Sequence, residues 1–186
     1  MIYPEKTVIL RDGRTCVLRI PRVEDAEALL DFLRGIASET EYILWTPQEP
    51  FPTKEVEIAY IEGLVNSPQA LCLLACVDGE IAGNCQIVFN RKEKIAHRSS
   101  IAIALRQRFW GLGIGTALLR ELIGEAERRG VRQTELDVVA ENRRARGLYE
   151  KMGFRAVATL PAAIRFTDGS LHDEIHMMRI NMIERR

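Results

Sequence analysis

No run of apolar residues in the sequence comes near the ~18 that a membrane-spanning helix needs, and the N-terminal MIYPEKTVIL lacks the long apolar core of a signal peptide. Net charge is absent too. The 26 Lys and Arg balance 26 Asp and Glu, which argues against a broad nucleic-acid surface and points to no strongly acidic or basic partner. Cysteines are few: Cys16, Cys72, Cys76 and Cys85 form no Cys-x-x-Cys pair and have no histidine at zinc spacing. Three of them lie in apolar runs and read as small core residues of a protein kept in a reducing compartment. Linkers, low-complexity segments and internal repeats are missing as well. What is left is a soluble, cytoplasmic chain of 186 residues, 47% apolar and 28% charged. One domain over 1–186 with a proper core is the expectation.

Punctuation by turns sets the element order. TVILRDGRTCVLRI gives two β-rich arms around Asp12-Gly13. VEDAEALLDFLRGI carries Ala26, Leu29, Leu30 and Leu33 at helical spacing. ETEYILWTPQEPFPT reads as an irregular loop, followed by a helix capped by Thr53 and running to about Val65. ALCLLACV and EIAGNCQIVF are strands joined by Asp78-Gly79, and SSIAIAL is a third, apolar on both faces and so central. IGTALLRELIGEAERRG is a helix ended by Gly130, QTELDVV a strand, and NRRARGLYEKMGF a short helix stopped by Gly153. The tail, from AAIRF on, gives two strands around Asp168-Gly169. The order predicts an α+β fold with helices on both sides of a mixed sheet.

The chemistry concentrates in RFWGLGIGTALL. A strand that stops at glycines and opens a helix bares backbone N–H groups at the positive helix end, a ready anion site. No lysine follows the glycines, which excludes a Walker loop, and Thr116 stands where a Rossmann turn needs its third glycine. A plain helix start with no ligand is the bland alternative.

Taken with LDVVAENRRARGLYEKMGF, the stretch resembles the GCN5-related N-acetyltransferase (GNAT) superfamily. The first motif is Gly111, Gly113 and Gly115. The second is Asn142, Leu148, Tyr149, Glu150, Lys151, Gly153 and Phe154. The resemblance implies a three-layer α/β/α fold whose mostly antiparallel sheet has about seven strands and splays at the cofactor. It also implies transfer of acetyl from acetyl-coenzyme A (acetyl-CoA) to a primary amine, on a small molecule or a protein N-terminus, by direct attack. Pyrophosphate would lie on the N–H groups of Gly111, Leu112, Gly113, Ile114, Gly115 and Thr116, and the pantetheine arm along Ile103, Ala104 and Leu105. Tyr149 matches the position that protonates the departing thiolate, a task suited to a phenol that is neutral at pH 7. Asn142 would bond the cofactor arm, cap its own helix, or do both. Trp110, directly before the first glycine, is taken to replace the family's charged Arg or Gln, with Arg108 as a charge two residues ahead. Dimers are common in the family.

The strand before the loop has no carboxylate to serve as general base. Ser100 through water, His97, and Glu39 or Glu41 in the loop after the first helix are the candidates. That gap favours the rival reading, a non-catalytic acyl-CoA-binding or regulatory module. A nucleotide-binding phosphate loop is weaker still. HDEIH (172–176) lacks the order of a zinc-protease motif, so no metal is expected; it reads as a strand with His172, Glu174 and His176 on one face, which borders the acceptor site or simply meets solvent. The Arg128-Arg129 and Arg143-Arg144 pairs read as solvated helix faces, the latter near the cofactor's adenosine phosphate. Tyr42, Trp45 and Phe51 belong to an acceptor lid or to a core flap.

Overall fold

The computed structural model describes residues 3–182. β1 (Lys6–Ile9) and β2 (Thr15–Arg19) form the opening hairpin. A 3-10 turn leads into α1 (Ala26–Glu39), and an irregular stretch separates it from α2 (Lys54–Asn66). Then come β3 (Ala70–Val77), β4 (Glu80–Phe89), β5 (Arg98–Leu105), α3 (Ile114–Arg128), β6 (Gln133–Val139), α4 (Arg143–Lys151), β7 (Arg155–Arg165) and β8 (Leu171–Ile180).

All eight strands join one sheet in the order β1-β2-β3-β4-β5-β6-β8-β7. The resemblance implies about seven strands; the sheet has eight, with both arms of the first hairpin paired into it. β7 also starts at Arg155 rather than near Ala162. Pro161 and two register shifts against β8 hide its alternation, and an edge strand tolerates both. Glu39 is a further correction, for it ends α1 instead of lying in the loop.

The continuous apolar run of β3 reflects burial on both faces. Leu71, Leu73, Ala75 and Val77 join the core under α3 and α4, where Ile114, Leu118, Leu119 and Leu122 keep helical spacing. Ala70, Cys72 and Leu74 face the opposite core, with Phe32 and Ile36 of α1 and Ile61 and Leu64 of α2. Helices thus cover both sides, giving three layers. All four cysteines are free thiols, three of them buried.

One junction positions the site. β5 and β6 form the parallel pair of this otherwise antiparallel sheet, and they pair only at Arg98↔Gln133, Ser99↔Thr134 and Ser100↔Glu135. At that closed end the Arg98 guanidinium grips both Glu135 carboxylate oxygens at 2.5 and 2.6 Å, and Ser99 Oγ lies 3.0 Å from Thr134 Oγ1. Beyond Ser100 the strands part.

Candidate active site

A cleft of about 1200 Å³ opens where β5 and β6 diverge. Its walls come from the end of β5, the glycine loop, α4, β6, β8, both early helices and the loop between them.

The three glycines of the loop have two different jobs. Gly111 (φ +80°) and Gly113 (φ +100°) take left-handed backbone that other residues adopt at a cost, and a Cβ on either would meet nothing. Gly113 is the N-cap of α3, and no side chain caps the helix there. The first N–H groups of α3 therefore point at space beside the cleft, at the positive end of a 15-residue helix. Gly115 is inside the helix, where a Cβ would sit 2.9 Å from Leu148 Cδ2 and 3.2 Å from Leu105 Cδ1. Its absence of a side chain lets α3 close on β5 and α4. The packing role of Gly115 was not visible in the glycine spacing.

Ile103, Ala104, Leu105, Gly111, Gly113, Ile114, Gly115 and Thr116 all line the cleft, as do Asn142 and Tyr149. Leu112 and Arg108 lie outside its walls. Leu112 packs on the core while its carbonyl accepts a bond from Arg11 N. Arg108 ion-pairs with Glu80 and lies over the Phe109 ring, 5.2 Å from its centroid. The reading of Trp110 also needs correcting. The family loop runs Arg-or-Gln-x-x-Gly-x-Gly, so Arg108 holds the charged position in register with Gly111 and Gly113. Trp110 stands at an unspecified position of that loop and has a local duty. Its indole N–H donates to Leu105 O at 2.9 Å, pinning the loop to the end of β5, and the Arg144 guanidinium rests 5.0 Å from its ring centroid.

Tyr149 is buried on α4, edge-on to Phe154 at 6.1 Å. Burial, with a smaller contribution from Cys85, pushes its phenol above the ordinary value, so it stays a neutral O–H donor. Asn142 caps α4: its side-chain oxygen accepts from Ala145 N at 3.1 Å, leaving the amide N–H₂ as the part able to reach a ligand.

The candidates for the base divide sharply. Ser100 and His97 lie outside the cleft walls. Glu39 is used up holding α1 to the segment after β5, accepting from Gln107 N at 2.7 Å and lying 3.3 Å from Arg106 Nε. Glu41 lines the cleft, but its carboxylate binds the N–H and hydroxyl of Thr167 in the β7–β8 turn. Three further carboxylates line it: Glu57 on α2 and Asp137 on β6, which no sequence pattern singles out, and Glu174 on β8, on the face that HDEIH sets toward the acceptor site or solvent. Asp137 is held by His176 at 2.6 Å. Glu57 and Glu174 accept no hydrogen bond through their carboxylates among the described residues. Burial raises the carboxyl of Glu57 above its ordinary value. Burial first, then the charge of Asp137, does the same for Glu174, against a smaller pull from His176.

Register gives Glu174 a level. Continuing from Ser100 opposite Glu135 sets Val139 across the gap from Ala104, and Glu174 is the β8 partner of Val139. The only earlier hint of this was the period-two pattern of HDEIH. Its residues do lie on β8, with His172 between Glu141 at 3.0 Å and Ser170 at 2.6 Å.

Similar proteins share the architecture. The chain is 29% identical over 166 residues to the L-amino acid N-acetyltransferase AaaT of Escherichia coli (strain K12), covering 88% of this chain and 97% of that one. A GNAT-family acetyltransferase from Streptococcus pneumoniae superposes with a TM-score of 0.83 at 26% identity, over 89% of this chain and 99% of that one. A ribosomal-protein-alanine N-acetyltransferase from Brucella melitensis gives 0.76 at 26%, over 88% and 98%. The model of the acetyltransferase (GNAT) family matches residues 33–154, and the chain belongs to that family.

Proposed function

We propose that the protein moves an acetyl group from acetyl-CoA to an amine within the cleft at the β5–β6 splay. The observation that carries this reading is one continuous cleft with uncapped helix N–H groups at one end and a buried phenol in its wall. The pyrophosphate rests on the N–H groups from Gly111 to Thr116, with Arg144 beside it. The pantetheine arm pairs with the freed edge of β5 at Ile103 to Leu105, and the amide of Asn142 donates to it. A backbone N–H near Leu105 stabilises the oxyanion.

The amine nitrogen attacks the thioester carbonyl carbon, the new C–N bond forms, and the C–S bond breaks. Tyr149 gives its proton to the departing thiolate. Glu174, level with the acetyl group and raised by burial, takes the proton that the amine sheds, directly or through water. Starting from an ammonium ion, the transfer releases one proton to solvent overall. The lack of a carboxylate on β5, the feature that favoured a silent binding module, is made good from β8.

Thermal unfolding with and without acetyl-CoA tests the cofactor. At a hundredfold excess over Kd, binding contributes about 2.7 kcal/mol, roughly a 5–10 °C rise in Tm for a chain of this size. No rise at saturating acetyl-CoA overturns the reading.

A further inference from the structure

The charged side chains of the cleft are sorted by sign. Around the glycine loop and α4 they are basic: Arg11, whose guanidinium donates to Gly111 O at 3.1 Å, then Arg144 on Trp110, and Lys151. On the opposite side of the sheet, facing α1 and α2, they are acidic. Strand alternation sets this face: Leu136 and Val138 point to the α3/α4 core, so Asp137 points away from it. On β8, Ile175 and Met177 join that same core, so Glu174 points away too. Glu57 comes from α2, one turn before Tyr60, whose hydroxyl donates to Gln86 of β4 at 2.8 Å. No Lys or Arg lines this half among the described residues. The rest of its wall is apolar, from Phe32, Leu33 and Ile36 of α1 to Tyr42, Trp45 and Val56.

We infer that the acceptor is a cationic amine on an apolar body, with no carboxylate beside the amine. The inference rests on the transferase reading above and deepens it. An ammonium group entering this half meets the half-buried Glu57 on one wall and, on the other, the half-buried Glu174 beside Asp137, which His176 holds at 2.6 Å; a negative charge entering there is repelled. The α-carboxylate of a free amino acid would share that space with three carboxylates and find no guanidinium or ammonium to pair with. A peptide N-terminus, an amino-acid amide or ester, and an arylalkyl amine all avoid the conflict. Apolar bodies gain from the α1 wall and the Tyr42–Trp45 loop, which is anchored to the β7–β8 turn by Glu41–Thr167 and by Tyr42 edge-on to Phe166 at 6.0 Å.

Matched acceptors isolate the carboxylate. Thiol release from acetyl-CoA is followed with phenethylamine, L-phenylalaninamide and L-phenylalanine, which share one apolar body. The expected kcat/KM for the first two exceeds that for L-phenylalanine at least tenfold. Glu57→Gln narrows this ratio, while the thermal stabilisation by acetyl-CoA is unchanged. Equal values, or a preference for L-phenylalanine, overturn the inference and leave the transferase reading standing. Thermal stabilisation by acetyl-CoA with no thiol release from any of the three, and none from a broad amine panel, overturns the transferase reading and the inference with it.

Discussion

The two halves of the cleft are built in opposite ways. The half proposed for the cofactor is mostly local: a strand end, a glycine turn and the start of the next helix supply Ile103 to Thr116 in one stretch, and α4 adds Asn142 and Arg144. Its chemistry is largely backbone, so it depends on conformation more than on side-chain identity. The half that receives the amine is assembled from α1, α2, the loop between them, β6 and β8, and it works through side chains. Glu57 and Glu174 are 117 positions apart in sequence yet line the same space. A local, backbone-built site leaves a pattern of glycines. A site assembled from distant side chains leaves only single residues, each ordinary in its own segment.

The most damaging single change should fall between the halves. Tyr149→Phe removes the proposed proton donor and keeps the ring that packs edge-on to Phe154. Turnover is expected to fall about 10²–10⁴-fold, with acetyl-CoA affinity within twofold of the parent. Turnover close to the parent's would show that Tyr149 only fills the core.

Glu174→Gln separates the halves next. The carboxyl is raised, so the activity that depends on its ionised form is present at high pH and is lost as pH falls, at a higher pH than an ordinary carboxylate would give. The glutamine variant should lose about 10²-fold in kcat/KM at neutral pH and should no longer show that acid limb. A variant with the same acid limb would assign the proton transfer to another group.

How much the sequence disclosed follows the same division. The hairpin turns at Asp12-Gly13 and Asp78-Gly79, the Thr53 cap and the stops at Gly130 and Gly153 are short-range signals, and the structure has an element boundary at each. β7 was half missed because an edge strand exposed on both faces has no core to impose alternation on it. Cleft residues around the glycines were legible. The charged loop position is Arg108 and not Trp110, as the sequence reading had it, and whether Arg108 faces phosphate or Glu80 is decided by the neighbouring β4, which no local pattern reports. Glu57 and Asp137 left no signal, and Glu174 only the shared face of HDEIH, because their significance lies in which strands the sheet sets side by side.

A change in the cofactor half should act through conformation alone. Gly113→Ala adds a methyl that meets no atom but sits at a φ of +100°, which L residues rarely adopt. The free loop escapes this strain, about 1–2 kcal/mol, by leaving the native turn, so acetyl-CoA binding, which must restore the turn, weakens roughly tenfold. KM for the amine should hardly move. If the amine KM rises as much as the acetyl-CoA Kd, the halves are coupled through the loop and are not separable parts.

The mildest change tests the acceptor half from its edge. Thr53 caps α2, its hydroxyl oxygen accepting from Val56 N at 3.4 Å while its carbonyl accepts from Glu57 N at 3.0 Å. Val56 and Glu57 are both cleft residues, so this first helical turn is a piece of the amine's wall. Thr53→Ala removes the side-chain cap and leaves the carbonyl bond, for a loss of about 0.5–1 kcal/mol, or roughly 1–4 °C in Tm. Fraying of that turn loosens Glu57, so the amine KM should rise two- to threefold while acetyl-CoA binding stays constant. The cofactor half is insulated from it because α2 packs on the core opposite α3 and α4. An unchanged amine KM alongside the Tm loss would take Glu57 out of the amine's path and leave Asp137 and Glu174 to attract it.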